Sequence, residues 1–360
     1  MRICFMAPKA YQLFNPEVKS TFGGAEVQLY LLSTELARSK KFDVHFMVAD
    51  YGQKEVETYG GVSVWKSLNL KNNILRQALN FFKIFNKINA DIYIQRTLTA
   101  QSGLIALYCR FKKKRFVYMV AHDSETDGTH KLYRNWVTRF LIKLNFKLAN
   151  EIIVQNQFQN KELFKENIQA YQLKSSYPLN GELLKGRGEF ILWVGRSEDW
   201  KRPAFFLELA KSIPREKFVM ICAAATDQPE LSRDLKKKSG NIANLQFIEF
   251  VPFQQVDDYF AKAKIFVNTS IQEGFPNTFI QAVKNKTPIL SLNVNPDDFI
   301  TAYNCGFYCY DDFALLVKNL QRLLSDGELY SQMSANAGKY ARENHNITIN
   351  VNKFLEMITK

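Results

Sequence analysis

The sequence predicts an α/β protein built from two Rossmann-like domains, and three observations carry that expectation. Short apolar runs of strand type alternate with segments whose apolar residues recur at helical spacing, once over residues 1–180 and again over 181–346. A Gly- and Pro-bearing stretch at 178–189, Pro-Leu-Asn-Gly-Glu-Leu-Leu-Lys-Gly-Arg-Gly-Glu, separates the two series and reads as a linker. A length of 360 residues suits two cores of ordinary size, and 46% hydrophobic with 23% charged residues is the balance of a globular chain.

In the first series, residues 3–7 read as the opening strand, too short before Pro8 to be a signal peptide, and export is not expected. A polar loop runs to Phe22. Gly23 and Gly24 then open a helix in which Val27, Tyr30, Leu31, Thr34 and Leu36 recur at helical spacing. Lacking a Cβ, the doublet lets a ligand approach the backbone, although the full G-x-G-x-x-G and its acidic partner are absent. Strands at 43–49, 62–65 and 91–95 alternate with helices at 74–88 and up to Tyr108. After the basic run 112–115, a strand at 116–120 delivers His122 at its carboxyl end, the edge where open α/β sheets bind ligands. Residues 133–149 form an amphipathic helix mixing Trp136, Phe140, Leu141, Leu144 and Leu148 with Arg134, Arg139, Lys143 and Lys147. It packs as core with a solvated basic face or lies against anionic lipid, with the helix carrying residues 81–85 as companion. Residues 151–154 are expected to be the last strand of this domain.

The second series has strands at 190–194, 217–223, 245–249, 264–268 and 287–291, with helices between them. Gly195 and Arg196 end the first of these strands, and Lys201 follows five residues on. Further helices start at Asp312 and Leu329, and residues 347–360 form a last amphipathic helix. The stretch 270–282, Ser-Ile-Gln-Glu-Gly-Phe-Pro-Asn-Thr-Phe-Ile-Gln-Ala, is a strand-to-helix turn. The N–H groups of the new helix make such a turn an anion site, although strand–Gly-Pro–helix punctuation also occurs with no function attached.

Charge is distributed unevenly. Residues 1–180 hold 26 Lys and Arg against 14 Asp and Glu, whereas residues 181–360 hold 22 against 21. The first half therefore calls for an anionic partner, or carries a solvated basic face. No run reaches the roughly 18 apolar residues of a membrane span. The five cysteines are scattered without a C-x-x-C pair, consistent with free buried thiols in a reducing cytosol, and four histidines make a multi-His metal centre unexpected.

Glu273-Gly274-Phe275-Pro276-Asn277-Thr278, with a Ser before it and an apolar helix opening after it, resembles the donor-site signature of retaining GT-B glycosyltransferases of family 4 (group 1). That family's motif is a Glu, seven residues and a second Glu; here the second position holds Gln281. The resemblance implies the GT-B fold, two Rossmann-like domains facing each other across a cleft. Residues 1–180 would be the acceptor domain, with the helix 347–360 packed back on it, and 181–346 the donor domain. It implies a metal-independent hexosyltransferase with no cofactor, whose substrate is a nucleotide-diphosphate sugar. Arg196 and Lys201 match the family's diphosphate pair, in which a planar fork and a point charge suit adjacent phosphates. Glu273 would accept hydrogen bonds from donor-sugar hydroxyls, and the amides from Phe275 to Thr278 would cradle the distal phosphate. Gly195, Val251 and Phe253 fall in the nucleotide stretch. Gly23 and Gly24 would face donor phosphates and acceptor, and His122 the donor sugar and acceptor. Gln281 keeps one acceptor oxygen for a ribose hydroxyl but loses a carboxylate's charge-assisted strength.

The expected role is transfer to a glycan or lipid-linked acceptor in cell-surface polysaccharide synthesis, at the cytoplasmic face of the membrane with peripheral contact through the basic half. The alternatives are a nucleotide-sugar epimerase and a non-catalytic GT-B subunit that binds nucleotide or a partner enzyme. Nucleic acid is not an expected partner, because the basic half carries no recognised binding motif.

Overall fold

A computed structural model describes residues 1–18, 21–68, 74–179, 188–225 and 228–359. The chain divides into two compact units, Met1–Ser176 with Ile347–Lys360, and Tyr177–Asn346. Most of the expected linker, residues 180–187, lies outside the described residues.

The first unit is laid down as β1 (Arg2–Met6), α1 (Tyr11–Phe14), α2 (Gly24–Arg38), β2 (Asp43–Ala49), β3 (Val56–Tyr59), β4 (Val62–Leu68), α3 (Ile74–Ile88), β5 (Ile92–Arg96), α4 (Ser102–Phe111), β6 (Arg115–Met119), α5 (Trp136–Leu148), β7 (Glu151–Val154), α6 (Gln157–Lys165) and β8 (Tyr171–Gln172). Its sheet runs β3-β4-β2-β1-β5-β6-β7-β8, parallel throughout except for the antiparallel β3–β4 pair. The interior strands are almost continuously buried, as a parallel sheet covered on both faces requires.

Three expectations are corrected here. The loop up to Phe22 contains the one-turn helix α1, all four residues of which are buried; Phe14 sits 4.9 Å from Tyr30 and 5.0 Å from Phe46, ring to ring. The strand at 151–154 is not the last of its domain, because β8 pairs in parallel with β7. The 81–85 segment does not turn an apolar face outward. Phe85 is fully buried and stacks on Tyr93 at 4.2 Å, and Phe82 stacks on Tyr108 at 5.0 Å, because α3 and α4 close over the sheet.

The second unit repeats the scheme with β9 (Phe190–Arg196), α7 (Pro203–Ser212), β10 (Phe218–Ala223), α8 (Pro229–Ser239), β11 (Leu245–Ile248), α9 (Phe253–Lys262), β12 (Ala263–Asn268), α10 (Asn277–Lys284), β13 (Ile289–Ser291), α11 (Phe299–Ala302), β14 (Gly306–Tyr308), α12 (Phe313–Ser325) and α13 (Gly327–Asn344). The sheet order is β11-β10-β9-β12-β13-β14, all parallel. Counted from its own first strand this is 3-2-1-4-5-6, the dinucleotide-fold order, which reverses between β9 and β12. The core beneath it is apolar and closely packed, with Trp193, Phe206, Phe218 and Leu290 among its members.

The last helix, α14 (Ile347–Ile358), belongs to the first unit. Phe354 stacks on Phe5 at 6.5 Å, and Asn350 Nδ2 donates to Ser176 Oγ at 2.7 Å. The fold is therefore the two Rossmann-like parallel sheets that the alternation of elements predicts.

Candidate functional site

In an open α/β sheet a ligand settles at the carboxyl ends of the strands where the order reverses, since the crossovers there diverge and leave a crevice. In the second unit those ends belong to β9 and β12. β9 ends at Arg196 and the loop after it carries Lys201, while the loop after β12 carries residues 269–276.

Main-chain and side-chain bonds zip these two loops together. Ile271 N donates to Trp200 O at 2.8 Å, Thr269 Oγ1 donates to Lys201 O at 2.6 Å, and Trp193 Nε1 donates to Thr269 Oγ1 at 2.9 Å. Arg202 adopts the left-handed conformation at φ 47°, and its Nε donates to Thr269 O at 2.8 Å. Its Nη1 lies 2.6 Å from Asp311 Oδ1. Gly195 fits only without a side chain, because a Cβ there would stand 2.7 Å from the Trp193 ring.

The zipped loops bring Lys201 to Glu273, 72 residues away, with Nζ 2.7 Å from Oε1. Ser270 Oγ donates to the same oxygen at 3.0 Å, and the Lys201 ammonium sits 4.1 Å from the centre of the Trp200 ring. The second Glu273 oxygen has no partner among the described residues. Arg196 stands apart from this pair; its Nη2 is 2.8 Å from Glu198 Oε1, and the other, buried oxygen of Glu198 has no hydrogen-bond partner among the described residues.

Helix α10 opens at Pro276, whose ring offers no capping group, and its first turn holds no acidic residue. Its first turn, Asn277 and Thr278, is half-buried, whereas Gly274, Phe275 and Pro276 are buried. The Phe275 ring packs 5.3 Å from Phe299 and 5.0 Å from His345, so this side chain anchors the turn from below and only its amide can serve a ligand. Val251 and Phe253, at the start of α9, are half-buried, and Phe253 lies 6.4 Å from Tyr177.

Gln281 is buried one turn further along α10. Its Nε2 donates to Asp257 Oδ1 at 3.2 Å, and Lys284 Nζ lies 2.6 Å from Asp257 Oδ2. A glutamate at 281 would set two carboxylates against each other here, whereas the amide donates. Asp257 keeps 31% of its side chain exposed while Lys284 keeps 4%. Asp257, Lys284 and Arg202 are the residues that sequence reasoning missed. Nothing in their spacing sets them apart from ordinary surface charge; only the tertiary pairing does.

In the first unit, Gly23 caps α2, and its N–H donates to Glu26 Oε2 at 2.9 Å, so a carboxylate already occupies that first turn. His122 caps a 3₁₀ turn after β6. Its Nδ1 accepts from Ser124 N at 3.2 Å, which leaves the neutral ring's proton on Nε2. The turn is moored to α6, because Asp123 Oδ1 accepts from Asn156 Nδ2 at 3.0 Å and from Gln159 Nε2 at 2.9 Å. Burial pushes the Asp123 carboxyl above its ordinary value. Glu125, fully buried behind the turn, accepts from Tyr118 Oη at 2.7 Å and Ala121 N at 3.2 Å, and burial pushes it up to about 7.

The β9–β12 reversal of the second unit thus brings two cations, Arg196 and Lys201, beside the loop that leads into α10, the place where parallel α/β sheets take their ligands. Residues 180–340 match the family model described as "Glycosyl transferases group 1". Across the whole chain the fold is that of GT-B glycosyltransferases. It is similar to sucrose-phosphate synthase from Thermosynechococcus elongatus at 14% identity and TM-score 0.80, covering 99% of this chain and 97% of that one. It is similar to HepE of Anabaena in complex with UDP and glucose at 14% identity and TM-score 0.76, covering 100% and 99%. It is also similar to WaaG, a glycosyltransferase involved in lipopolysaccharide biosynthesis, at 14% identity and TM-score 0.70, covering 99% and 100%.

Proposed function

We propose that this protein is a retaining, metal-independent glycosyltransferase of family 4 type, which moves a hexosyl group from a nucleotide-diphosphate sugar to a glycan or lipid-linked acceptor. The observation that carries the reading is the junction of Lys201 with Glu273 beside the N-terminus of α10 at the sheet's reversal. As the glycosidic bond breaks, negative charge grows on the departing diphosphate. Arg196, Lys201 and the amides from Phe275 to Thr278 answer that charge in place. Arg196 does so by turning from Glu198 to the phosphate.

Glu273 is held through one oxygen by Lys201 and Ser270, and offers the other to hydroxyls of the donor sugar. The departing phosphate takes the acceptor's proton, so a second catalytic carboxylate is not required, and His122 orients the reacting hydroxyls through Nε2–H. Gly23 and Gly24 form part of the acceptor side, while Gly195, Val251 and Phe253 border the nucleotide. Asp257, presented by Gln281 and Lys284, supplies the ribose-facing carboxylate that position 281 lacks.

HepE's complex with UDP and glucose and WaaG's part in lipopolysaccharide biosynthesis support a nucleotide-sugar donor and a role in cell-surface polysaccharide synthesis. The acceptor is then met at the cytoplasmic face of an anionic membrane, contacted through the basic first unit. The test is sugar transfer, assayed over a panel of nucleotide sugars with a lipid-linked acceptor and with EDTA present. Arg196→Ala and Lys201→Ala should each cut it roughly 100-fold or more in protein that still unfolds cooperatively; unchanged turnover in both variants sinks the assignment. Product formed without any acceptor would instead favour an epimerase.

A further inference from the structure

Helices α4 and α5 lie backbone to backbone. A Cβ on Gly103 would come within 2.2 Å of Leu141 O, so the two helices form one layer over the sheet. Their inner residues enter the core, with Ile105, Ala106, Cys109, Ile142 and Phe146 buried. Their outer residues do not behave like a solvated face. On α4, Leu104, Leu107 and Phe111 follow at helical spacing and are exposed, Phe111 to 80%. On α5, Trp136, Val137 and Phe140 are exposed, Trp136 to 80% and Phe140 to 61%. Trp136 is not a frayed end, because Asn135 caps the helix and accepts from Val137 N at 2.9 Å. Residues 102–114 and 134–148 together hold eight Lys and Arg and no Asp or Glu.

We infer that this two-helix face is the surface that docks on an anionic bilayer. The inference deepens the membrane part of the reading above and names its contact surface. Large aromatics beside Lys and Arg, without acids, are the composition of an interfacial helix, whereas the cores of protein–protein interfaces are depleted of lysine. Among the described residues no helix is long and apolar enough to cross a membrane, so the contact is peripheral. Phe111, Trp136 and Phe140 enter the headgroup boundary, and Arg110, Lys112, Lys113, Arg139, Lys143 and Lys147 meet lipid phosphates.

The experiment is flotation of the purified full chain with phosphatidylcholine vesicles, with and without phosphatidylglycerol, alongside donor turnover in the same preparation. The wild type should float only with phosphatidylglycerol and should lose about tenfold in binding when salt is raised several-fold. A triple variant, Phe111→Ser with Trp136→Ser and Phe140→Ser, should lose about tenfold or more in vesicle binding while its melting temperature and its turnover of a soluble acceptor stay unchanged. Lys143→Glu with Lys147→Glu should weaken binding in the same direction. A wild type that turns over donor but ignores phosphatidylglycerol, or a triple variant that floats like the wild type, overturns this inference alone. A protein that floats but turns over no donor overturns the transferase reading and leaves this one. Dimerisation without lipid that the triple variant abolishes assigns the face to a second copy and overturns it.

Discussion

Two helix openings beside a strand-order reversal can be compared in this molecule, and their chemistry is opposite. At α2, in the first unit, Glu26 reaches back to the Gly23 amide and fills the first turn with a carboxylate. At α10, in the second unit, the N-cap is a proline without a capping group and the first turn holds no acid, while Arg196 ends the neighbouring strand and Lys201 follows it. A helix N-terminus attracts anions in general, but which one binds depends on what its own sequence has already placed there. The first opening is closed by its own charge. The second has no acidic residue in its first turn.

The largest effect should come from the cations of the second opening. Lys201→Ala should cut transfer roughly 100-fold or more, the scale of one lost transition-state donor. It should also lower the melting temperature, because Glu273 is then left beside Ser270 without its ammonium. By contrast, Glu26→Gln at the first opening should leave nucleotide binding unchanged, as followed by calorimetry, and lower stability only by about 1 kcal/mol from the lost capping box. If the two substitutions have equal effects on nucleotide binding, the contrast between the openings is wrong.

The next effect concerns the buried carboxylate of the first unit. Burial raises Glu125 to about 7. A raised folded-state value means that the protonated form is favoured in the fold, so the stability it contributes is present below the unfolded value near 4.5 and is lost as pH rises through about 7. Melting temperature should therefore fall between about pH 5 and pH 8 by the equivalent of at most roughly 3 kcal/mol. Glu125→Gln should flatten that slope. A wild-type profile already flat over this range would remove this role for Glu125.

Smaller effects sharpen the second opening. Asp257→Asn should weaken a ribonucleotide about tenfold while leaving its 2′-deoxy counterpart nearly untouched. Restoring a carboxylate next door, in Asp257→Asn with Gln281→Glu, should recover the ribose preference. No change in that preference would strip Asp257 of the role. Smallest of all, Glu198→Gln should release Arg196 and tighten nucleoside diphosphate binding about two- to fivefold, read as a lower dissociation constant at low salt.

Much of this architecture is legible in the amino-acid sequence. Alternation of apolar runs and helical periodicity tells of two Rossmann-like sheets, because parallel strands buried on both faces are near-continuous apolar segments. The strands at 43–49 and 151–154 and the helix at 74–88 coincide with those observed. What escapes is short or tertiary. One-turn α1 and two-residue β8 carry too few residues to show a period, and their burial comes from neighbours distant in sequence. Around the crevice, the motif residues Arg196, Lys201 and Glu273 can be picked out, but not that Lys201 and Arg196 each hold a carboxylate of their own. The clasp of Gln281 and Lys284 on Asp257 is equally hidden, since it joins α9 to α10 across 24 residues.

The central claim is that the second unit binds a nucleoside diphosphate at the β9–β12 reversal through Lys201 and Arg196. The most direct measurement is calorimetric titration of the wild type and of the Arg196→Ala and Lys201→Ala variants with nucleoside diphosphates and the corresponding free nucleosides. One diphosphate should bind the wild type, and each variant should lose at least about tenfold for it, with the far weaker nucleoside binding unchanged. Diphosphate binding of wild-type strength in both variants would contradict the claim.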